Sequence, residues 1–167
     1  MHTVFVSIGS NIRREHHVTE ALNDLQQRFT QLNVSPAYDC EPIGFVGDNF
    51  LNLVVGFQCS LRVGELATLL RLIEDNNDRV REGPKFASRT LDLDILTYDD
   101  QVGHIEGVEL PRGEITHNAF VLRPLADIAA NHIHPTTGKT YQQLWDNYDK
   151  ESQILSESSF TWCPNWL

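Results

Sequence analysis

One stretch near the middle of the chain, RTLDLDIL, limits most strongly how the chain can fold. Successive side chains of a β-strand point to opposite faces, so residues two apart share a face. Leu91, Leu93 and Ile95 therefore form an apolar face that suits packing against helices. Asp92 and Asp94 lie side by side on the opposite face. The stretch predicts a strand with one buried apolar face and one face that carries a carboxylate pair.

Periodicity in the rest of the chain predicts the other elements. Alternating apolar residues indicate strands, and apolar residues at helical spacing indicate amphipathic helices. In chain order we predict a strand over Val4–Ile8, a helix over about Glu15–Phe29, strands over Val34–Tyr38 and Phe50–Gln58, a helix from Val63 to about Asp78, a strand over Thr90–Leu96 and an apolar segment over Ala119–Ile128.

This order of elements is that of a split β-α-β motif. We therefore predict an α+β fold, a ferredoxin-like βαββαβ sandwich with additional C-terminal elements, in a single domain over residues 1–167. Its helices cover one face of a mainly antiparallel sheet. The other face is covered by loops with a ligand, by the C-terminal third of the chain, or by both. His16 and His17 lie on an early helical turn, where we expect solvated side chains.

Charge and composition exclude several classes of protein. The 167 residues include 13 Lys and Arg against 23 Asp and Glu, so the formal net charge is −10. Such a surface repels nucleic acid and anionic membranes. The three cysteines are scattered, which fits reduced thiols. We find no signal-peptide pattern and no apolar stretch of the ~20 residues that a membrane span needs. We expect a cytoplasmic, monomeric protein that binds neither nucleic acid nor membrane.

The carboxylate pair carries the clearest chemical prediction. Two adjacent carboxylates repel each other, and a divalent cation relieves that repulsion. Mg²⁺ favours one or two carboxylates together with substrate phosphates and water. A basic stretch with Arg79, Arg81, Lys85 and Arg89 precedes the strand, as a polyphosphate ligand requires. The alternative is that the aspartates cap loops or pair with nearby arginines on a solvated face, and spacing alone leaves both readings open.

Asn52 is predicted to lie on the same face of the sheet as the carboxylate pair, beside Phe50. An amide offers donors and an acceptor together, which suits a heterocycle with a mixed hydrogen-bonding edge, and an aromatic ring can stack on Phe50. For a single asparagine, a hydrogen bond within the sheet is the competing interpretation.

At this point the sequence resembles a known family, the 6-hydroxymethyl-7,8-dihydropterin pyrophosphokinases. The RTLDLDI string is the most specific part of the resemblance, which runs in order from about Val4 to Trp145. The matching segments are Ile8-Gly9-Ser10-Asn11, Tyr38 to Gly44, Phe50-Leu51-Asn52, Arg79-Val80-Arg81, Arg89 to Ile95, Leu110-Pro111 and Phe120 to Ala129.

The resemblance implies the ferredoxin-like fold and the transfer of pyrophosphate from ATP to the pterin hydroxymethyl group, with release of AMP. It implies two Mg²⁺ ions held by Asp92 and Asp94, with Arg79 and Arg89 also catalytic. The residues implied to contact the pterin are Cys40, Pro42, Ile43, Phe50, Asn52 and Phe120. Those implied to contact the nucleotide are Arg71, Glu74, Arg79, Arg81, Lys85, Arg89, Ile95 and Arg112.

Several positions depart from the family pattern. The family usually has His where this chain has Arg112, and Arg where it has Asn118. It commonly has Arg at Lys85, Thr at Cys40 and Tyr at Phe50. These departures keep a second hypothesis open, a non-catalytic or weakly active paralogue that binds pterin or nucleotide. A third hypothesis, an RNA-binding module of ferredoxin-like fold, is disfavoured by the acidic charge.

The tail from about Lys150 onwards has no clear counterpart in the family. Trp162 and Trp166 lie in this tail. They cover an apolar patch of the protein or a partner, and the sequence favours neither.

Overall fold

A computed structural model of the chain describes residues 1–79 and 88–163. Its elements are, in chain order, β1 (His2–Ser10), α1 (Arg14–Phe29), β2 (Asn33–Val34), β3 (Tyr38–Cys40), β4 (Phe50–Cys59), α2 (Val63–Asn76), β5 (Asp92–Tyr98), β6 (Gly103–Ile105), β7 (Val108–Leu110), α3 (Glu114–His117), α4 (Ala119–Ala129), α5 (Tyr141–Asp146) and β8 (Leu155–Glu157).

The main sheet has the strand order β5-β1-β4-β3-β8, and β2 pairs with β4 beside β3. Each of these strand pairs is antiparallel. β6 and β7 form a separate antiparallel hairpin. The chain is thus a mixed α/β structure built around an antiparallel sheet. Among the described helices, none has the length and apolar character that crossing a membrane requires.

The first face of the sheet packs against α1 and α2, as predicted. Leu93 and Ile95 are 5% and 3% exposed and lie in this core. The helices contribute the apolar residues that recur at helical spacing, among them Leu22, Leu25 and Leu70. The alternation that was read from the sequence therefore assigns the apolar side of β5 correctly.

The second face of the sheet packs against the C-terminal helices. Phe5, Val54 and Leu96 of the sheet form a second core, which includes Leu122 of α4 and Tyr141 of α5. Of the alternatives that the sequence left open for this face, packing of the C-terminal third is the one present in the described residues. The cover is incomplete, and the gap between the sheet and the start of α4 forms the candidate site described below.

The second predicted strand, over Val34–Tyr38, is wrong in detail, because the structure has two short strands there. Pro36 has no backbone N–H and cannot extend the ladder. Ser35 interrupts the pairing: its backbone N–H donates to the Val54 carbonyl, and its hydroxyl accepts from the Val54 N–H, both at 2.9 Å.

His17 is also a correction, because it is buried and not solvated. Its side chain is only 3% exposed. Nδ1 lies 2.9 Å from Oδ1 of Asn77, just beyond the end of α2. Burial of a polar ring without a hydrogen bond is costly, and this contact removes that cost.

The C-terminal segment forms part of the fold. β8 pairs with β3 and extends the sheet, and the Ser158 N–H donates to the Ala37 carbonyl at 2.9 Å. Trp162 packs against the core on the first face, and its Nε1 donates to Oδ1 of Asn23 in α1 at 3.0 Å. Trp162 therefore covers an apolar patch of this chain, and Trp166 lies outside the described residues.

Candidate active site

A cavity of about 670 Å³ opens on the second face of the sheet. Side chains from β1, β3, β4, β5 and the start of α4 line it, together with residues of the connecting loops. The lining residues are Ser7, Gly9, Cys40, Glu41, Ile43, Phe45, Phe50, Asn52, Arg79, Arg89, Asp92, Asp94, Arg112, Glu114, Asn118, Phe120 and Val121.

A row of paired residues across three strands forms the floor of this cavity. Gly9 of β1 pairs with Asp92 of β5 on one side and with Asn52 of β4 on the other. Neighbouring strands are about 4.8 Å apart, so the backbones at Asp92 and Asn52 are separated by roughly 10 Å. A Cβ at Gly9 would lie 2.8 Å from the Asn52 Oδ1. Glycine is therefore needed here to leave room for the Asn52 amide.

Two arginine–aspartate pairs form what we term the charged side of the cavity: Arg79, Asp92, Asp94 and Arg112. Arg79 Nη1 donates to the Leu91 carbonyl at 2.7 Å and to Asp92 Oδ1 at 3.1 Å. Arg112 Nη2 donates to Asp94 Oδ1. The predicted alternative to a metal site, pairing of the aspartates with arginines, is thus present in the structure. The pairs line a cavity, however, and do not lie on an open, solvated face.

The Asp94 carboxyl has a strongly altered proton affinity. Its pKa is raised to about 7, first by burial and then by the negative charge of Asp92. The guanidinium of Arg112 opposes this shift. A cation bound beside Asp92 and Asp94 would favour their ionised forms and so oppose this shift.

Uncharged side chains lie at the opposite end of the floor, and we term Cys40, Phe50 and Asn52 the neutral side. Asn52 is 8% exposed and Cys40 is 7% exposed. Asn52 Nδ2 lies 2.7 Å from Cys40 Sγ, which fixes the orientation of the amide. Burial raises the pKa of the Cys40 thiol to about 12, so the thiol is neutral. Phe120 of α4 also lines the cavity.

Asn11 joins three chain segments at the border of the cavity. Its Nδ2 donates to the Asp48 carbonyl at 3.0 Å and to the Ser88 hydroxyl at 3.2 Å, and its Oδ1 accepts from the Arg89 N–H at 2.8 Å. Asn11 thereby positions Arg89, which lines the cavity. The sequence indicates the Gly9-Ser10-Asn11 turn only as part of the family resemblance, and the role of Asn11 becomes visible in the structure.

The structure brings most of the predicted site residues together. Those that line the cavity are Cys40, Ile43, Phe50, Asn52, Arg79, Arg89, Asp92, Asp94, Arg112 and Phe120. Those that do not line it are Pro42, Arg71, Glu74 and Ile95. Arg81 and Lys85 lie outside the described residues.

Two of these exceptions have a clear physical reason. Ile95 follows the alternation of β5 onto the helix-covered face and is 3% exposed. Glu74 is 8% exposed, and its Oε2 accepts from the Leu93 N–H at 2.8 Å. Glu74 Oε2 also lies 3.8 Å from Arg79 Nη1, so Glu74 can hold the Arg79 guanidinium in place from outside the cavity. The side chains of Ile95 and Glu74 therefore support the site from outside the cavity.

Several lining residues were not identified from the sequence, including Ser7, Phe45, Glu114 and Val121. Ser7 pairs with Asp94 across β1 and β5, so its position follows from strand register. Register between distant strands is not visible in a single sequence. Phe45 lies in the loop between β3 and β4, where no periodic pattern marks a side chain that faces the cavity.

The donor groups of the charged side fit a divalent cation that is shared with a ligand. Among the described residues no group of three or more His, Cys, Asp or Glu side chains could hold a metal ion. Asp92 and Asp94 supply two carboxylates, which is the protein's share in a typical Mg²⁺–nucleotide site. The remaining ligands of such an ion are phosphate oxygens and water.

Comparisons with known proteins agree with this geometry. The sequence model of the 7,8-dihydro-6-hydroxymethylpterin-pyrophosphokinase (HPPK) family matches residues 5–130. The chain is 30% identical over 146 residues to the 2-amino-4-hydroxy-6-hydroxymethyldihydropteridine pyrophosphokinase of Aquifex aeolicus, and the match covers 86% of this chain and 91% of that protein.

Two longer proteins also match. The chain is 33% identical over 141 residues to the folic acid synthesis protein fol1 of Pneumocystis carinii, which covers 81% of this chain but only 18% of fol1. The crystal structure of the Plasmodium falciparum HPPK-DHPS superposes with a TM-score of 0.71 at 15% identity, over 90% of this chain and 45% of that one. The likeness to the solved structure concerns the fold alone. From the extent of the family match and the identity to its relatives, the chain belongs to the 7,8-dihydro-6-hydroxymethylpterin-pyrophosphokinase family.

Proposed function

We propose that the chain transfers the β,γ-pyrophosphoryl group of ATP to 6-hydroxymethyl-7,8-dihydropterin in folate biosynthesis and releases AMP. The observation that carries this proposal is the single cavity with two unlike sides. Its neutral side offers the Asn52 amide next to Phe50, and its charged side offers carboxylates and guanidiniums roughly 10 Å across the floor. A pterin and a polyphosphate require these two environments within reach of each other.

In this reaction the pterin hydroxymethyl oxygen attacks the β-phosphorus of ATP. The bond from that phosphorus to the oxygen bridging the α- and β-phosphates breaks, and the bridging oxygen leaves with AMP. The hydroxyl proton is released to water in the same overall step. Little covalent chemistry is required of the protein, so the catalytic contribution is alignment of the two substrates and stabilisation of charge.

The charged side would bind the phosphates. Asp92 and Asp94 would hold two Mg²⁺ ions, which supply neutralisation of the phosphate charge when bound. Arg79, Arg89 and Arg112 would donate charge-assisted hydrogen bonds to phosphate oxygens. Because the aspartates already pair with Arg79 and Arg112, binding of the nucleotide and its cations requires these pairs to exchange partners.

The neutral side would bind the pterin. Asn52 is fixed by Cys40 and would read the hydrogen-bonding edge of the ring. Phe50 and Phe120 would stack on its faces, and Ile43 would cover it. The buried, neutral surroundings favour an uncharged heterocycle over an ionised ligand.

We infer further that strands β1, β3, β4 and β5 with α1 and α2 are a ferredoxin-like unit within a single domain over residues 1–167. The strand order β5-β1-β4-β3, with both helices on one face, supports this. We also propose a cytoplasmic monomer that binds neither nucleic acid nor membrane, in line with the net charge of −10. Light scattering of the purified chain tests the monomer.

The experiment that tests the proposed function is AMP release from ATP and Mg²⁺, measured with and without 6-hydroxymethyl-7,8-dihydropterin. We expect AMP only when ATP, Mg²⁺ and the pterin are all present. A matched reaction with EDTA in place of Mg²⁺ should give none. ATP turnover that does not depend on the pterin would contradict the proposal.

A second candidate is a paralogue that binds pterin or nucleotide with little or no transfer. Arg112 and Asn118 motivate it, because the family usually has His and Arg at these positions, and Arg112 already pairs with Asp94. This candidate predicts calorimetric binding of the pterin without measurable AMP. The same AMP assay therefore separates the two functions.

A further inference from the structure

A glutamine from the C-terminal segment reaches the start of α4 beside the cavity. The Ala119 backbone N–H points to Gln153 Oε1, with 2.9 Å between the nitrogen and the oxygen. A backbone N–H can only donate, so the atom that accepts must be the amide oxygen of Gln153. This contact settles which way the Gln153 amide is turned, a choice that otherwise depends on the whole hydrogen-bond network.

The orientation of Gln153 in turn fixes its neighbour Asn118. The second atom of the Gln153 amide is Nε2, which lies 2.9 Å from Asn118 and 3.5 Å from the His117 carbonyl. Nε2 can only donate, so the Asn118 atom that receives this bond must be Oδ1. The donor group of Asn118, Nδ2, is left for other contacts.

Asn118 lines the cavity, whereas Gln153 does not. Within the described part of the chain, no protein acceptor is within hydrogen-bond distance of Asn118 Nδ2. An amide nitrogen with two donor hydrogens at the wall of a ligand cavity matches an oxygen acceptor, such as a phosphate oxygen or a ring carbonyl. The Gln153 side chain thus links the C-terminal segment to Asn118 at the cavity wall.

We propose that Gln153 is a positioning residue that turns the Asn118 amide so that Nδ2 donates a hydrogen bond to an oxygen of a bound substrate. This proposal rests on the proposed function, because the ligand is one of the two substrates of that reaction. Asn118 thereby supplies a neutral donor at a position where the family usually has arginine. The C-terminal segment, which lacks a family counterpart, holds that donor in place.

Two substitutions test the proposal from opposite ends. Asn118→Asp keeps the oxygen that accepts from Gln153 but replaces the donor at the cavity with an acceptor. Gln153→Glu still accepts from the Ala119 N–H, but its second oxygen now needs a donor. Asn118 must then turn its amide over and present Oδ1 to the ligand. The second variant therefore reverses the cavity group without altering any residue that lines the cavity.

The matched control is Ile154→Glu, which adds the same charge at the next residue. Ile154 is 73% exposed and does not line the cavity. The probes are the α,β-methylene analogue of ATP with Mg²⁺, and 6-hydroxymethyl-7,8-dihydropterin, each titrated by calorimetry. AMP release by the unaltered chain is measured in parallel.

We expect both test variants to weaken the binding of the same probe by roughly tenfold or more, since a lost hydrogen bond to a charged or buried group has about that effect. The other probe and the Ile154→Glu control should stay within about twofold. The affected probe identifies whether the acceptor oxygen belongs to the nucleotide or to the pterin.

Unchanged affinities in both variants would overturn the proposal. An equal loss of affinity for both probes would also overturn it, because it would indicate a general structural disturbance of the cavity wall. An active chain with unaffected variants rejects this inference alone. A chain that binds neither probe and releases no AMP rejects it together with the proposed function.

Discussion

The two sides of the cavity solve the problem of buried polar groups in different ways. On the charged side, Asp92 and Asp94 are held by Arg79 and Arg112, and all four groups can also serve a phosphate or a cation. On the neutral side, the Asn52 amide is held by an uncharged thiol. The charged side must exchange partners when substrates bind, whereas the neutral side is already arranged for its ligand.

This difference indicates where binding energy is spent. Breaking an arginine–aspartate pair in a partly buried site is costly unless the new partners restore the charge balance. A nucleotide that arrives with Mg²⁺ brings both signs of charge and can replace both pairs. A pterin that enters the neutral side meets groups that do not need to move, so little reorganisation opposes its binding. We expect the two sides to respond independently to substitution.

Asp94→Asn should have the largest effect. It preserves the size of the side chain and an acceptor for Arg112, but it removes the charge that would hold a cation. Loss of several kcal/mol of charge stabilisation lowers AMP release by about a thousandfold or more. Steady-state assays with saturating Mg²⁺ measure this, and Asp100→Asn in an exposed turn is the control. If pterin affinity fell as strongly as AMP release, the independence of the two sides would be wrong.

Asn52→Ala should break the neutral side alone. A pterin edge left without its partner costs about 1–3 kcal/mol, so we expect the dissociation constant of the pterin to rise roughly 10- to 100-fold. Affinity for the methylene analogue of ATP should not change. Gln58→Ala is a suitable control, because Gln58 is an exposed amide on the same strand and does not line the cavity. Equal losses for both ligands would argue against separate sides.

The sequence predicted both sides of the cavity better than the wall around them. Asp92 and Asp94 alternate with Leu91, Leu93 and Ile95 at a period of two, and this local pattern can be recognised in the sequence alone. The same period also places Ile95 on the helix face, so its placement away from the cavity was readable from the alternation. The split of the second strand was readable as well, since Pro36 lacks the N–H that a continuous ladder needs.

Contacts between distant segments could not be predicted in this way. His17 is buried because Oδ1 of Asn77, which is 60 residues away, accepts a hydrogen bond from its ring. Gln153 fixes Asn118 across 35 residues. Neither contact has a periodic signature, because each depends on how separately formed elements meet. Glu74 was expected to contact the nucleotide, but outside the cavity it accepts a hydrogen bond from Leu93 of β5 and lies near Arg79. This arrangement also depends on how distant segments meet.

Gly9→Ala should weaken pterin binding more than nucleotide binding, although Gly9 lies between the neutral and the charged side. The added Cβ would lie 2.8 Å from Asn52 Oδ1, closer than a normal contact, so the amide must shift. Overpacking of this kind costs about 1–3 kcal/mol, and we expect roughly a tenfold loss of pterin affinity. Gly113→Ala is the matched control, since a Cβ there meets no atom within 4 Å. A larger effect on nucleotide than on pterin would place the strain on the charged side.

The smallest expected effect concerns the neutrality of Cys40 in alkaline solution. Burial raises the pKa of its thiol to about 12, whereas an unfolded thiol ionises near 8.5. Below about pH 8.5 both states keep the proton and stability is unaffected. At higher pH the unfolded chain loses the proton first, so the free energy of unfolding falls as pH rises towards 12.

Cys40→Ser removes this ionisation but retains an acceptor for Asn52. We therefore expect equal pH dependence of the two proteins near pH 7 and a shallower decline for the variant above pH 9, with a difference of about 2 kcal/mol by pH 10. Urea unfolding at a series of pH values measures it. Tyr38 and Tyr141, whose pKa values burial also raises to about 12, contribute equally to both proteins and cancel. Parallel curves up to pH 11 would mean that the thiol can ionise in the folded state, and that the neutral side tolerates charge as the charged side does.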